Sequence, residues 1–147
     1  MRGIEAEARH LDRLASGAFR ASVHAMNARQ IATVHAGGRV AVGAALTLAP
    51  SAAAAGWIGE DAGRPAVTAV TRAVGVRDGL MGLGVLSTLH DADAAKSWLA
   101  ACLVADTVDL GATLIARDNL PKQGVVAVAV VAAASAALGA WLLSALD

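Results

Sequence analysis

A pair of carboxylates in the second half of the chain has the residue type and spacing needed for chemistry. Asp106 and Asp109 are three residues apart, so on a helix they lie on the same face. Cys102 lies four residues before Asp106, and Thr113 lies four residues after Asp109, which extends this face into a polar stripe. Paired carboxylates can act as general acid and base or hold a cation. The stripe is therefore the first candidate for a functional site.

Further charges lie earlier in the chain, also within apolar segments. Arg72, Arg77 and Asp78 occur among small and aliphatic residues, and Arg39 lies near the start of another apolar run. Together with the carboxylates of the stripe they make three positive and three negative charges. Charges inside apolar helices usually face the interior and pair with one another. The sequence therefore predicts one internal network, made of Arg39, Arg72, Arg77, Asp78, Asp106 and Asp109.

The predicted network has a structural and a functional interpretation, and the sequence leaves both open. In the structural interpretation, which ranks first, opposite charges fix the helices in register and need no ligand. In the functional one, a polar pocket binds a substrate or relays protons, with Asp78, Asp106 and Asp109 as candidate catalytic residues. Arg72 is the expected partner of Asp109, with Arg77 as the second choice. The neighbouring arginines argue against a metal ion, and no cofactor is indicated.

Four apolar segments position these charges. The last of them runs from Val125 to Leu146 without a charged residue, and its 22 residues exceed the roughly 20 that cross a bilayer core. The first is uncharged from Val40 to Gly59 and contains Pro50, which membrane helices tolerate when neighbours satisfy the freed carbonyl. The two segments between them carry the charges. The predicted spans are about 38–59, 66–89, 97–116 and 124–146.

Short polar connections separate the four segments, and each contains a Pro or Asp that can start the next helix. This pattern predicts an all-α fold, an integral membrane four-helix up-and-down bundle with an N-terminal amphipathic helix. A soluble, Ala-rich bundle is the alternative. It conflicts with the last segment, which is apolar on every face, whereas each helix of a small soluble bundle keeps a polar face.

A small-residue seam is predicted on the second span. Gly75, Gly79 and Gly82 share one helix face and allow a neighbouring helix to approach closely. A large side chain at Gly79 is therefore expected to destabilise the bundle strongly.

Residues 1–36 are predicted to precede the bundle, which occupies 37–147. Residues 4–22 fit an amphipathic helix with apolar side chains on one face and arginines opposite. Such a helix lies on the inner leaflet or docks on the bundle or on a partner. The arginines near this end predict that both termini are cytoplasmic and that the chain is a multi-pass protein of the plasma membrane.

The composition narrows the function classes. The 12 basic residues balance the 12 acidic ones, so the basic excess typical of nucleic-acid binding is missing. A single cysteine excludes an intrachain disulfide and a cysteine-based zinc cluster. No histidine lies firmly within a predicted span, since His35 precedes the first one and His90 is at a helix end.

Residues 37–146 resemble a family of small four-helix integral membrane proteins of unknown function that are common in high-GC actinobacteria. The most specific part is the stretch Arg72-x-x-Gly75-x-Arg77-Asp78. The remaining matches are Gly38-Arg39 with Gly43, Trp57-Ile58-Gly59, Gly79-Leu80-Met81-Gly82-Leu83-Gly84, Asp106 with Asp109, and Pro121. The resemblance implies the fold and the membrane, and it implies no activity.

Three functions fit these observations. The first is a non-enzymatic subunit or interaction module of a membrane assembly, with the bilayer, other membrane chains or a second copy of the chain as partners. The second is a membrane enzyme of isomerase or cyclase type acting on a lipid-like molecule, and the third is a carrier of such a molecule. A dry, fully paired cluster favours the first function. A cavity that reaches Asp106 and Asp109 favours the other two.

Overall fold

The structure is a computed structural model that describes residues 26–147. Over these residues the chain forms five α-helices and no strand, which confirms the all-α prediction. The helices are α1 (Ala28–Leu48), α2 (Pro50–Ile58), α3 (Pro65–Thr88), α4 (Ala92–Ile115) and α5 (Lys122–Ala145). Short 3-10 turns, Gly59–Gly63 and Arg117–Asn119, precede α3 and α5. The amphipathic helix predicted for 4–22 lies outside the described residues.

The start of α1 is set by a capping box. The Asn27 side chain accepts a hydrogen bond from the Gln30 backbone N–H, and the Gln30 side chain accepts one from the Asn27 backbone N–H. The helix therefore begins at Ala28, ten residues before the predicted span 38–59. This earlier start brings His35 into α1, one turn before Arg39.

The first predicted span is broken into two helices at Pro50. Proline has no backbone N–H to donate and disfavours the helical conformation of the residue before it. Ala49 accordingly leaves the helix, with φ −130° and ψ 57°, and Pro50 starts α2 as its first residue. Gly59 then ends α2 with φ 76°, in the left-handed region that glycine adopts without a steric penalty.

The four long helices alternate in direction. At one end of the molecule, the Arg29 guanidinium at the start of α1 donates to the carbonyls of Leu89 and Asp147, which follow the ends of α3 and α5. At the other end, Gly59 lies against Pro121, just before α5. The starts of α1 and α4 therefore lie beside the ends of α3 and α5.

Backbone contact between α1 and α3 is close because glycines line it. A Cβ added to Gly43 would lie 2.5 Å from the Gly79 nitrogen and 2.6 Å from the Gly75 carbonyl oxygen. A Cβ on Gly75 would lie 2.7 Å from the Gly43 carbonyl oxygen, and one on Gly82 would lie 2.6 Å from the Ala36 carbonyl oxygen. These distances leave no room for a methyl group.

Gly79 differs from the prediction made for it. A Cβ added to Gly79 meets no atom within 4 Å, so a side chain there points into open space. Gly79 contributes its backbone as the surface on which Gly43 packs. The seam that excludes side chains therefore consists of Gly43, Gly75 and Gly82.

Helices α1, α4 and α5 are long and apolar enough to span a membrane. Helix α3 is not among them, since it carries Arg72, Arg77 and Asp78. The coarse prediction of apolar, membrane-length helices is confirmed for these three, and the four-span bundle stays a prediction.

Candidate functional site

Arg39 joins three helices near the middle of the molecule. Its side chain is buried, with 8% of its surface exposed. On α4, both carboxylate oxygens of Asp106 accept from Arg39 Nη1, at 2.7 and 2.8 Å. On α3, Asp78 Oδ1 accepts from Arg39 Nη2 at 3.0 Å. The guanidinium thus pairs with one carboxylate from each of two neighbouring helices.

Arg77 extends this cluster toward the surface. Its Nη2 lies 2.6 Å from Asp109 Oδ2 and its Nη1 lies 3.2 Å from Asp109 Oδ1, a two-pronged pairing. Its Nη2 also donates to Asp78 Oδ1 at 3.1 Å. The Arg77 and Asp109 side chains are 31% and 27% exposed, so this pair is less buried than the Arg39–Asp106 pair. Asp78 is the shared carboxylate that links both arginines.

The fifth helix joins the network through Ser135. The Ser135 hydroxyl donates to Asp106 Oδ2 at 2.7 Å, and His35 Nε2 lies 2.8 Å from the same hydroxyl oxygen. A hydroxyl has one proton, and an ionised carboxylate accepts only. The Ser135 hydroxyl therefore donates its proton to Asp106 and accepts a hydrogen bond from His35. His35 accordingly carries its proton on Nε2. The lone pair of a neutral His35 is then on Nδ1.

The order Asp106, Ser135, His35 is not that of a hydrolytic triad. In a triad the histidine lies between the carboxylate and the serine and removes the serine proton. Here the serine lies in the middle and donates to the carboxylate, so His35 orients no nucleophile. The arrangement is a polar chain that ties α1, α4 and α5 together.

Arg72 lies apart from the network. Its Nε donates at 3.3 Å to the carbonyl oxygen of Thr47, in the last turn of α1. The last carbonyls of a helix have no partner within it, and the helix break at Pro50 leaves them free. The prediction that Arg72 pairs with Asp109 is therefore corrected, since Arg77 forms that ion pair.

The remaining members of the predicted polar stripe, Cys102 and Thr113, make no hydrogen bond to a charged side chain among residues 26–147. Cys102 is fully buried among apolar residues, one turn before Asp106. Thr113 is also buried. Across residues 26–147 no three His, Cys, Asp or Glu side chains gather as metal ligands. The stripe thus divides into a packed part and the carboxylates that face the arginines.

The network carries one surplus negative charge. The guanidinium groups of Arg39 and Arg77 supply two positive charges against the three carboxylates of Asp78, Asp106 and Asp109. Pairing in a low-dielectric interior offsets much of the cost of burying these groups. Among the described residues, the network therefore has one more carboxylate than guanidinium when His35 is neutral, and each carboxylate accepts from an arginine.

A cavity of about 650 Å³ opens beside the network. Its polar end contains His35, Arg39, Ser135 and the three carboxylates of the network. Its walls are apolar and come from four of the five helices, with Val42, Val74 and Val131 as examples. Val34 and Val131 are 66% and 68% exposed, so the cavity opens to the outer surface between α1 and α5.

Several buried polar atoms on cavity-lining residues have no hydrogen-bond partner within residues 26–147. They are His35 Nδ1, Arg39 Nε and Trp57 Nε1. Buried polar groups are rarely left unpaired in folded proteins. These three atoms are enclosed by the protein and do not face the open cavity.

His35 and Ser135 are the site residues that the sequence interpretation did not assign. The signal for His35 is its position four residues before Arg39, which places both on one face of α1. The signal for Ser135 is its isolation, since only it and Ser144 are polar in the last apolar run. Trp57 also lines the cavity, and Trp98 packs on Gly84.

Over residues 26–147, the fold and the site define an all-helical structure with three helices apolar enough to span a membrane and a charge network at its centre. No protein-family model matches the chain, and no curated protein and no solved structure is similar to it. The resemblance to small membrane proteins of unknown function stays a prediction.

Proposed function

We propose that the chain is a four-span protein of the plasma membrane that binds a lipid-like small molecule in the cavity between its helices. The observation that carries this proposal is a cavity with apolar walls that ends on Asp78, Asp106 and Asp109. A molecule with an apolar body and one polar group fits such a site.

The pairing of its charges supports α3 as the fourth span. Arg77 and Asp78 are neutralised within the network, and Arg72 caps the end of α1. The outward face of α3 is apolar, with Val70 and Leu80 largely exposed. A soluble monomer rarely exposes apolar faces of this size, whereas lipid covers them.

The dimensions of the cavity support a chain-like ligand. Gly124 at the start of α5 packs on Trp57, at one end of the cavity, and Ser135 at the polar end lies eleven residues further on. Eleven residues of helix rise about 16 Å. The opening between α1 and α5 gives a molecule dissolved in the bilayer lateral access.

The state of the carboxylates favours binding or carriage over catalysis. All three accept hydrogen bonds from arginine, and an acid–base catalyst needs a carboxylate that can exchange its proton. The same ion pairs join the helices of the bundle to one another. The polar end of the cavity is then a fixed recognition surface. An interaction module without a ligand is the competing function.

The proposed topology predicts opposite labelling at the two ends of the bundle. In the variants Glu60→Cys and Asp118→Cys, a membrane-impermeant thiol reagent added outside intact cells is expected to react. In Asp93→Cys, the same reagent is expected to react only after permeabilisation, because the arginine-rich N-terminal segment holds that side in the cytoplasm. The native Cys102 is fully buried and gives a low background. Labelling of Glu60→Cys and Asp93→Cys from the same side would contradict a membrane-crossing α3.

Filling the cavity is expected to weaken binding. The probe is an undecyl alcohol with bromine at the end of its chain, added to the protein in lipid nanodiscs, because bromine quenches nearby tryptophan. Saturable quenching is expected in the wild type and is lost in Trp57→Phe, which removes the tryptophan that lines the cavity. Ala134→Phe puts a ring into the cavity and is expected to weaken the apparent affinity about tenfold.

Ala133→Phe is the matched control for this experiment. Ala133 is exposed on the same helix and does not line the cavity, so its variant is expected to bind like the wild type. Equal affinities for the Ala133→Phe and Ala134→Phe variants would contradict binding in the cavity.

A further inference from the structure

We infer that Trp57 sets the length of the chain that the cavity accepts, because its indole ring closes the apolar end of this cavity against a second cavity behind it. This inference rests on the proposed function, since it names the residue that selects among the molecules that the cavity takes. It predicts a binder of medium-length chains, and a wall whose removal admits longer ones.

The second cavity lies between α2 and α3. Its volume is about 310 Å³, close to half that of the cavity beside the charge network. Apart from Thr71 its lining residues are apolar, and they include Ile58 on α2 and Val67 on α3. Trp57 and Val74 line both cavities. The two cavities are therefore neighbours, and these two side chains form the wall between them.

The backbone of Trp57 is held in place by its neighbours. A Cβ added to Gly124 on α5 would lie 2.9 Å from Trp57 Cα and 3.0 Å from the Trp57 carbonyl oxygen, so the two backbones are in close contact. Gly59 ends α2 two residues later. Ala53, one turn earlier on the same face, lines the first cavity and adds only a methyl group to it. The indole of Trp57 is thus the larger part of the wall, and the side chain of Val74 is the smaller part.

The surroundings of the Trp57 ring distinguish this role from that of an interfacial anchor. A tryptophan at a membrane interface keeps its ring in the apolar layer and its indole N–H among water and head groups. The Nε1 atom of Trp57 is buried and has no hydrogen-bond partner within residues 26–147. Since this N–H does not reach water or head groups, what the ring contributes is its bulk at the end of the cavity.

The distance from the polar end to this wall sets an upper length for an extended chain. Ser135 lies about 16 Å along α5 from Gly124, which contacts Trp57. An extended alkyl chain advances about 1.25 Å for each carbon–carbon bond of about 1.5 Å, so a dodecyl chain fills this distance. A longer chain must press on the indole or turn out through the opening between α1 and α5. Without the indole, the second cavity lengthens the path by about half, which suits an octadecyl chain.

The experiment compares the chain lengths that the wild type and the Trp57→Ala variant retain. Each protein, in lipid nanodiscs, is equilibrated with straight-chain primary alcohols from decanol to octadecanol at equal mole fractions in the bilayer. This scale removes differences in partitioning between water and lipid. Native mass spectrometry of the protein released from the nanodiscs then identifies each bound alcohol by its mass. Alcohol that stays on Ala134→Phe, in which a ring fills the first cavity, is subtracted as background.

The wild type is expected to retain dodecanol at least about tenfold better than octadecanol, the size of effect that overpacking a filled site produces. In Trp57→Ala this ratio is expected to fall to about threefold or less, because the longer chain enters the second cavity. Equal retention of the two alcohols by the wild type, or an unchanged ratio in Trp57→Ala, overturns the inference and leaves the binding site standing. If the wild type retains no alcohol above the Ala134→Phe background, the proposed function falls together with the inference.

Filling the second cavity separates a longer path from a general loosening of the protein. Ala66 and Ala69 are both exposed on α3, and Ala66 lines the second cavity whereas Ala69 lines neither cavity. Added to Trp57→Ala, Ala66→Phe is expected to restore the preference for dodecanol, and Ala69→Phe is expected to leave it lost. Equal ratios in the two double variants would overturn the inference. If Trp57→Ala does not fold, Val74→Ala opens the same wall from α3, and exclusion of octadecanol as strong as in the wild type would then overturn it.

Discussion

Asp106→Ala is expected to lower the free energy of unfolding by about 3–5 kcal/mol, the cost of removing one partner from a buried ion pair. The change leaves the buried Arg39 guanidinium with Asp78 as its remaining carboxylate partner. It also removes the acceptor of the Ser135 hydroxyl. The measurement is unfolding by sodium dodecyl sulfate in mixed micelles, followed by far-ultraviolet circular dichroism.

The double variant Arg39→Met with Asp106→Leu is expected to recover most of that loss. Replacing a whole buried pair with apolar residues of similar volume is often close to neutral. After the double change, Asp78 still accepts from Arg77, and Arg77 still holds Asp109. No carboxylate of the remaining cluster is stranded, so the two changes together should cost less than either alone.

The half-exposed end of the network provides the matched comparison. Asp109→Ala is expected to cost less than Asp106→Ala, because Arg77 is partly exposed and keeps Asp78. Arg77→Leu should partly restore the Asp109→Ala variant, and Arg72→Leu should not, since Arg72 bonds to Thr47. Wild-type stability in both single aspartate variants would contradict a structural role for the network. Rescue by Arg72→Leu would contradict the pairing seen here.

The sequence predicts the existence of the network better than its connections. Balanced charges within apolar segments require pairing, and this follows from the energetics of burial alone. The choice between Arg72 and Arg77 depends on how α3 is rotated against α4, and residue spacing on one helix does not define that rotation. The helix break at Pro50 also matters, because it creates the free Thr47 carbonyl that Arg72 caps.

The sequence offers a polar pocket as one interpretation of the charges, and it does not identify His35 and Ser135 as part of it. The sequence places His35 before the first predicted span, because the long uncharged run begins only at Val40. The capping box at Asn27 starts the helix earlier and carries His35 to the level of Ser135. The link from α5 to Asp106 depends on the single hydroxyl of Ser135. One serine within an apolar segment is a weak sequence signal for such a contact.

For the glycine seam too, the sequence indicates which residues share a helix face but not which of them contact the neighbouring helix. The sequence places small residues on one face of α3, and in the structure Gly75 and Gly82 lie against the backbone of α1. It does not show which way each Cα–H bond points. Gly79 belongs to the same face by spacing, yet its own side-chain position is open. The tightest position, Gly43, lies on the partner helix.

Gly43→Ala is therefore expected to destabilise the protein where Gly79→Ala does not. A Cβ at position 43 would overlap the backbone of Gly75 and Gly79, and backbone cannot move aside as a flexible side chain can. Overpacking of this kind costs about 1–3 kcal/mol. The methyl group would push α3 away from α1 one turn from Arg39, which also stretches the contact between Arg39 and Asp78.

Gly79→Ala is the control on the opposite side of the same contact. Its Cβ meets no atom within 4 Å, and alanine favours the helix over glycine by up to about 1 kcal/mol, so its stability is expected to match or slightly exceed the wild type. Gly37→Ala, equally open and on α1, is expected to behave in the same way. Unfolding in mixed micelles ranks the three variants. Equal losses in Gly43→Ala and Gly79→Ala, or no loss in Gly43→Ala, would contradict backbone contact at this seam. A loss confined to Gly43→Ala would support close backbone contact between α1 and α3 at this seam.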